Sequence, residues 1–111
     1  QPLDTNDFAA KVLQSSKPVV VDCYADWCSP CKQLAPKLDE AHSSLDDSSA
    51  VDLFKFDVDQ PDSHAVTTQL NVTSIPDVLL FHKGQLADRL VGNVSMEQIR
   101  AFMEKARGLS E

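Results

Sequence analysis

The chain has 111 residues, 42% of them apolar, with 17 acidic against 10 lysine and arginine side chains and a formal net charge of −7. Such a length and apolar fraction fit one domain over residues 1–111, and no Gly/Ser-rich linker or internal repeat divides it. The acidic balance disfavours phosphate backbones and anionic lipid, and no apolar run nears the roughly 20 residues of a membrane helix, so neither nucleic acid nor membrane is expected as a partner.

Thr5 predicts the cap of a first helix with Phe8, Val12 and Leu13 on one face, ending at Ser15-Ser16 before Pro18. Residues 18 to 24 are β-branched and almost unbroken in apolarity, the pattern of a central strand covered on both faces. A helix is expected from Pro30 to His42, with Cys31, Leu34, Ala35, Leu38 and Ala41 at helical spacing and a kink at Pro36. Residues 51 to 58 alternate as a strand, Phe54, Phe56 and Val58 facing one way and Leu53, Lys55 and Asp57 the other. A short helix over Pro61 to Gln69 precedes strands at 77–82 and 86–91, joined by the hairpin turn His82-Lys83-Gly84-Gln85. The last helix, Ser95 to Ala106, opens on a capping box, shows an Ile99, Phe102, Met103, Ala106 stripe, and is expected to stop at Gly108. Helix-linked strands pair in parallel and the hairpin adds antiparallel ones. The expectation is an α/β fold: a central mixed sheet flanked by helices on both faces, in three layers.

The chemistry sits in Trp27-Cys28-Ser29-Pro30-Cys31-Lys32, directly after the apolar strand. Helix N-termini favour a thiolate through unpaired N–H groups and the helix dipole, so Cys28, just before the helix, reads as the attacking sulfur. Pro30 stands where a missing N–H costs nothing. Cys31, one turn on and facing inward, reads as the resolving thiol and as the partner of a Cys28–Cys31 disulfide. With three cysteines, chance alone gives some pair this spacing in roughly 5% of sequences, before strand and helix context is required. Zinc would need about four ligands, and no second ligand pair exists among Cys23, His42, His64 and His82, so no metal is expected. The three histidines read as surface residues.

Asp22 is the second anomaly, a carboxylate inside a valine strand. Burial raises such a group toward neutrality and suits it to accept a proton from Cys31; a purely structural hydrogen-bonding role is the competing reading. Lys55, on a neighbouring strand, either tunes Asp22 with its ammonium or lies along the surface as an ordinary amphipathic lysine.

The stretch from Val19 to Glu40 resembles the thioredoxin family, and the resemblance continues through Lys55-Phe56-Asp57-Val58-Asp59, Thr73-Ser74-Ile75-Pro76 and Val91-Gly92 to the last helix. It implies a protein-disulfide reductase in which Cys28 is nucleophile, Cys31 resolves, Asp22 is the buried acid/base and Lys55 its partner. It further implies that Trp27 packs beside the thiols, that Ile75-Pro76 is a cis peptide facing them, that the Ile75 backbone pairs with the extended target, and that Gly92 lets the target approach. The family's first strand is nearly absent here, since only Gln1 to Leu3 precede the first helix; a short or frayed strand is expected. No bound cofactor is implied. A thioredoxin reductase, a flavoprotein drawing on NADPH, would recharge a monomer whose targets carry accessible disulfides, as peroxiredoxin-like and reductase-like proteins do.

Two positions depart from the family pattern. Ser29 replaces the usual glycine between Cys28 and Pro30 and can donate a hydrogen bond near the thiolate. Asp77 replaces the usual threonine after Pro76; ionised beside Cys28 it would raise the thiol's pKa and repel acidic targets, whereas turned away it would meet solvent or a surface cation. Cys23 replaces an aromatic and reads as core filling.

An odd, small cysteine count favours a reducing compartment. Cytoplasm is the first expectation; Gln1 reads as a trimmed start, which leaves mitochondrial matrix or plastid open. The sequons Asn71-Val72-Thr73 and Asn93-Val94-Ser95 point the other way, to a secretory-lumen oxidase or isomerase, and a non-enzymatic interaction module of the same fold is the third reading.

Overall fold

A computed structural model describes residues 1–110. Four strands, β1 (Val19–Tyr24), β2 (Asp52–Asp57), β3 (Asp77–His82) and β4 (Gln85–Val91), form one sheet in the order β2-β1-β3-β4. β1 runs parallel to β2 and antiparallel to β3, which pairs antiparallel with β4, so the sheet is mixed as expected. The helices are α1 (Ser29–Ser43), α2 (Ser63–Gln69) and α3 (Met96–Leu109).

The strand alternation sorts the core onto two faces. Val20, Val78 and Leu80 pack on one side against Leu34 and Leu38 of α1 and Ile99, Phe102 and Met103 of α3. Val19, Val21, Cys23, Phe54, Phe56, Leu79 and Phe81 fill the other, under Phe8, Val12 and the Val66–Leu70 end of α2. The Phe8 ring stands edge-on to Phe56 and Phe81, with centroids 5.9 and 5.8 Å away. Each fully buried large side chain of this kind contributes about 1.5–3 kcal/mol.

Three local expectations need correction. The first helix is a 3-10 turn, Thr5–Asp7, followed by a π-helical stretch, Ala9–Leu13; the cap is Asp4, whose Oδ1 accepts from the Asn6 N–H at 2.9 Å. One residue earlier is the better cap because a carboxylate there meets the orphan N–H of the first turn. The final helix passes through Gly108 to Leu109, since Gly108 sits in helical backbone with open space around it. His42 is half-buried, with its Nε2 2.5 Å from the Val51 carbonyl oxygen. The short first strand is a single parallel bridge, Pro2 to Lys55, held by Leu3 N–H to Lys55 O at 2.9 Å and Lys55 N–H to Gln1 O at 2.7 Å.

The hairpin turn places Lys83 and Gly84 at φ 54° and 80°, the pairing that matches strand twist in a two-residue loop. A Cβ on Gly84 would lie 2.9 Å from the Leu13 carbonyl oxygen, a backbone atom that cannot swing aside. Gly84→Ala is therefore expected to lower stability by about 1–2 kcal/mol from φ alone, with the contact adding to it. Gly108→Ala is expected to raise it, by up to about 0.5–1 kcal/mol less end fraying. Urea unfolding of the two variants checks both signs; a Gly84→Ala protein as stable as the parent contradicts this account of the turn.

Candidate active site

β1 ends at Tyr24, and Ala25 to Trp27 turn the chain into α1, with the Cys28 N–H bonding back to the Ala25 carbonyl at 3.1 Å. Cys28 is the N-cap of α1, at φ −91° and ψ 104°. A cap normally offers an oxygen to the helix's orphan N–H groups; here the acceptor is sulfur, Cys28 Sγ taking the Cys31 N–H at 3.2 Å. In the reduced protein that bond and the helix dipole both favour a Cys28 thiolate. Cys28 and Cys31 form a disulfide with Cα atoms 5.3 Å apart. Ser29 and Pro30 fill the first two helical positions, both exposed.

The two sulfurs lie in a small apolar cluster with Ala25, flanked by Tyr24, Val58 and Ile75. Cys28 Sγ is 3.9 Å from the Ile75 carbonyl oxygen, and the Ile75–Pro76 peptide is cis. Gly92 closes the same edge: its N–H donates to the Pro76 carbonyl at 2.8 Å, its φ is 92°, and open space surrounds the position where a Cβ would be. Trp27 is 71% exposed on the rim, its Nε1 donating to Asp59 Oδ2 at 2.8 Å. Together with Val58, Val72 and Ile75 it lines a shallow cleft of about 250 Å³.

Asp22 lies behind the disulfide, 1% exposed. Its Oδ2 is 3.4 Å from Lys55 Nζ, and Lys55 also reaches Asp39 Oδ1 at 3.3 Å. Asp22 Oδ1 has no hydrogen-bond partner among the described residues. Burial pushes the Asp22 carboxyl above its ordinary range, the Lys55 ammonium pulls it partly back, and Asp39 adds a smaller push upward. A second cleft of about 250 Å³, bordered by Asp22, Cys31, Ala35 and Lys55, joins this carboxyl to the inner thiol. Asp39 was not singled out from the sequence; helical spacing from Cys31 through Ala35 to Asp39 was the available signal.

Of the two expectations for Asp77, the structure shows the second, a carboxylate turned away from the thiol face and paired with a cation. It is 2% exposed and opposite Cys23 in the register, on the sheet face away from α1. Arg89 takes it in a fork, Nη2 to Oδ2 at 2.7 Å and Nε to Oδ1 at 3.3 Å. Side chains alternate along β1 and β3, so the two neighbouring carboxylates, Asp22 and Asp77, belong to opposite faces. Cys23 is free and buried, its thiol pushed far up by burial and by the nearby Asp77 charge, which leaves it unreactive. No group of three His, Cys, Asp or Glu able to hold a metal is found among the described residues.

The Thioredoxin family model matches residues 1–105. A thioredoxin of Acidithiobacillus ferridurans is 39% identical over 89% of this chain and 88% of its own length. One from Mycolicibacterium smegmatis is 42% identical over 78% of this chain and 76% of its own. The M-type chloroplast thioredoxin of Spinacia oleracea is 36% identical over 92% of this chain, which spans 55% of that longer protein. Among solved structures, a thioredoxin of Malassezia sympodialis superposes with a TM-score of 0.82 at 26% identity, covering 96% of this chain and 90% of that one. A match over nearly the whole length, carried by a fold that brings Cys28 and Cys31 together, means that the chain belongs to the thioredoxin family, as a protein-disulfide reductase.

Proposed function

We propose that this thiol–disulfide oxidoreductase attacks its targets through Cys28 and releases them through Cys31, with Asp22 taking the Cys31 proton and Lys55 tuning Asp22. The observation that carries the reading is the buried Asp22 carboxyl, with one oxygen lacking a hydrogen-bond partner among the described residues, bordering the same cleft as Cys31. A carboxyl raised by burial is a better proton acceptor near neutrality than an ordinary surface aspartate.

In the reduced protein the Cys28 thiolate attacks one sulfur of a target disulfide. That bond breaks, a Cys28–target mixed disulfide forms, and the other target sulfur leaves as a thiolate that takes up a proton. Cys31 then loses its proton to Asp22 and attacks Cys28 Sγ, expelling the second target sulfur. The target gains two electrons and two protons, and the protein is left with the Cys28–Cys31 disulfide. In the bridged form their Cα atoms stand 5.3 Å apart, inside the ordinary range for a disulfide.

The target segment lies against Ile75, Pro76 and Gly92, with Trp27, Ser29 and Pro30 as the rim. Two electrons from NADPH, delivered by a flavoprotein thioredoxin reductase, reset the cycle. The protein works as a monomeric single domain over 1–111, in an intracellular reducing compartment, the cytoplasm by preference, on targets such as peroxiredoxin-like and reductase-like proteins. Similarity to bacterial thioredoxins supports that compartment, and chloroplast and mitochondrial relatives support the organelle alternatives.

Insulin-disulfide reduction driven by dithiothreitol is expected to fall to background in Cys28→Ser. Cys31→Ser is expected to accumulate covalent target adducts that dithiothreitol releases, and parent-level turnover by Cys28→Ser overturns the assignment.

Asp22→Asn is expected to slow mixed-disulfide release by about 10²-fold at pH 7, the gap closing at higher pH as solvent deprotonates Cys31 directly. Stability should move oppositely. A carboxyl whose folded pKa exceeds its unfolded value of 3.8 binds more protons in the native state, so it costs stability as pH rises through that window. The asparagine variant should thus melt above the parent at pH 7 and lose the advantage toward pH 4. A melting difference independent of pH would show that Asp22 does not titrate there.

A further inference from the structure

We propose that Arg89 and Asp77 are positioning residues for target docking: one guanidinium clamps both ends of the segment that carries Ile75–Pro76. The inference rests on the docking role proposed above for that segment.

α2 ends at Gln69, with Leu70 as its C-cap, and β3 begins at Asp77. Between them residues 71–76 cross from the helix layer to the sheet without belonging to a strand. Arg89, on β4, reaches both sides of the gap. Its Nη2 donates to the Leu70 carbonyl at 3.1 Å and to Asp77 Oδ2 at 2.7 Å, while Nε donates to Asp77 Oδ1 at 3.3 Å. The carboxylate side chain is 3% exposed and the guanidinium side chain 30% exposed.

Further bonds fix the segment near each end. Val72 N–H donates to Thr67 O at 2.8 Å beside the helix, and Gly92 N–H donates to Pro76 O at 2.8 Å beside the strand. The Arg89 fork ties these two anchorages to each other, so that the Ile75 carbonyl is held 3.9 Å from Cys28 Sγ. A target chain pairing with Ile75 needs that backbone set beforehand, because small displacements of a docking group are expensive in productive binding. Lysine cannot replace the arginine fully: a single ammonium lacks the planar fork that grips Asp77 at two oxygens while also reaching Leu70. Among the described residues the clamp makes no hydrogen bond to Cys28 or Cys31, so it should act on target binding and leave the chemistry of those two thiols unchanged.

Three variants test it: Arg89→Met, Arg89→Lys, and the double variant Asp77→Asn/Arg89→Met, which leaves no buried charge unpaired and so remains informative if Arg89→Met alone is unstable. Each is assayed for insulin reduction over a range of insulin concentrations and, in reduced form, for reaction with 5,5′-dithiobis(2-nitrobenzoate), a small disulfide that needs no backbone pairing. The expected result for Arg89→Met and the double variant is an apparent KM for insulin raised about 5- to 10-fold with kcat within about twofold, and a small-disulfide rate within about twofold of the parent. Arg89→Lys should fall between. A folded double variant with parent KM overturns the inference, as does an equal loss toward insulin and the small disulfide. A parent protein inert toward insulin overturns the reading of function itself, and the clamp's role with it.

Discussion

Because β1 is bonded to a strand on each side and covered on each face, no residue from Val19 to Cys23 is more than 2% exposed, and any polar side chain there must find its partner inside the protein. Val19, Val20 and Val21 meet that demand by being apolar. Asp22 meets it only in part, through Lys55 across the β1–β2 pairing, and keeps one oxygen without a hydrogen-bond partner among the described residues. The cysteines follow the end of β1 closely, Cys28 four and Cys31 seven residues after Tyr24. The buried strand therefore sets both where the thiols stand and what lies behind them.

The asymmetry between the two thiols follows from α1. Cys28 precedes the helix and caps it with sulfur; Cys31 lies inside the first turn, facing the core. The orphan N–H groups and the dipole act on the first sulfur, whereas the second borders a cleft shared with the Asp22 carboxyl. One short helix start thus gives the two sulfurs different electrostatic surroundings.

Two buried carboxylates on adjacent strands show how partner chemistry decides role. Burial raises the Asp22 carboxyl, and Lys55, a point charge at 3.4 Å that is shared with Asp39, pulls it only partly back. Arg89 holds Asp77 with two donors in a fixed plane, which suits a mechanical anchor. The sheet keeps these environments apart by putting them on opposite faces.

The amino-acid sequence by itself determined the element order, the burial of β1, the Cys28–Cys31 pair at a helix start and the anomaly of Asp22, because each is a local pattern: a β-branched run, a CxxC spacing, a charge where none belongs. It missed the first helix's irregular form and the continuation of α3 through Gly108. Asp77, left open between the surroundings of Cys28 and solvent or a surface cation, is the sharper case. Counting back from the Lys83-Gly84 turn without interruption would pair Arg89 with Val78 and put the arginine on the α1 face. The irregularity between Leu80 and Phe81, with Ala87 as the extra residue, shifts the register so that Arg89 lies opposite Leu79, on the face of Asp77. A strand's side chains change face with every one-residue slip, so that single bulge decided that Arg89, rather than Asp88, shares the sheet face of Asp77.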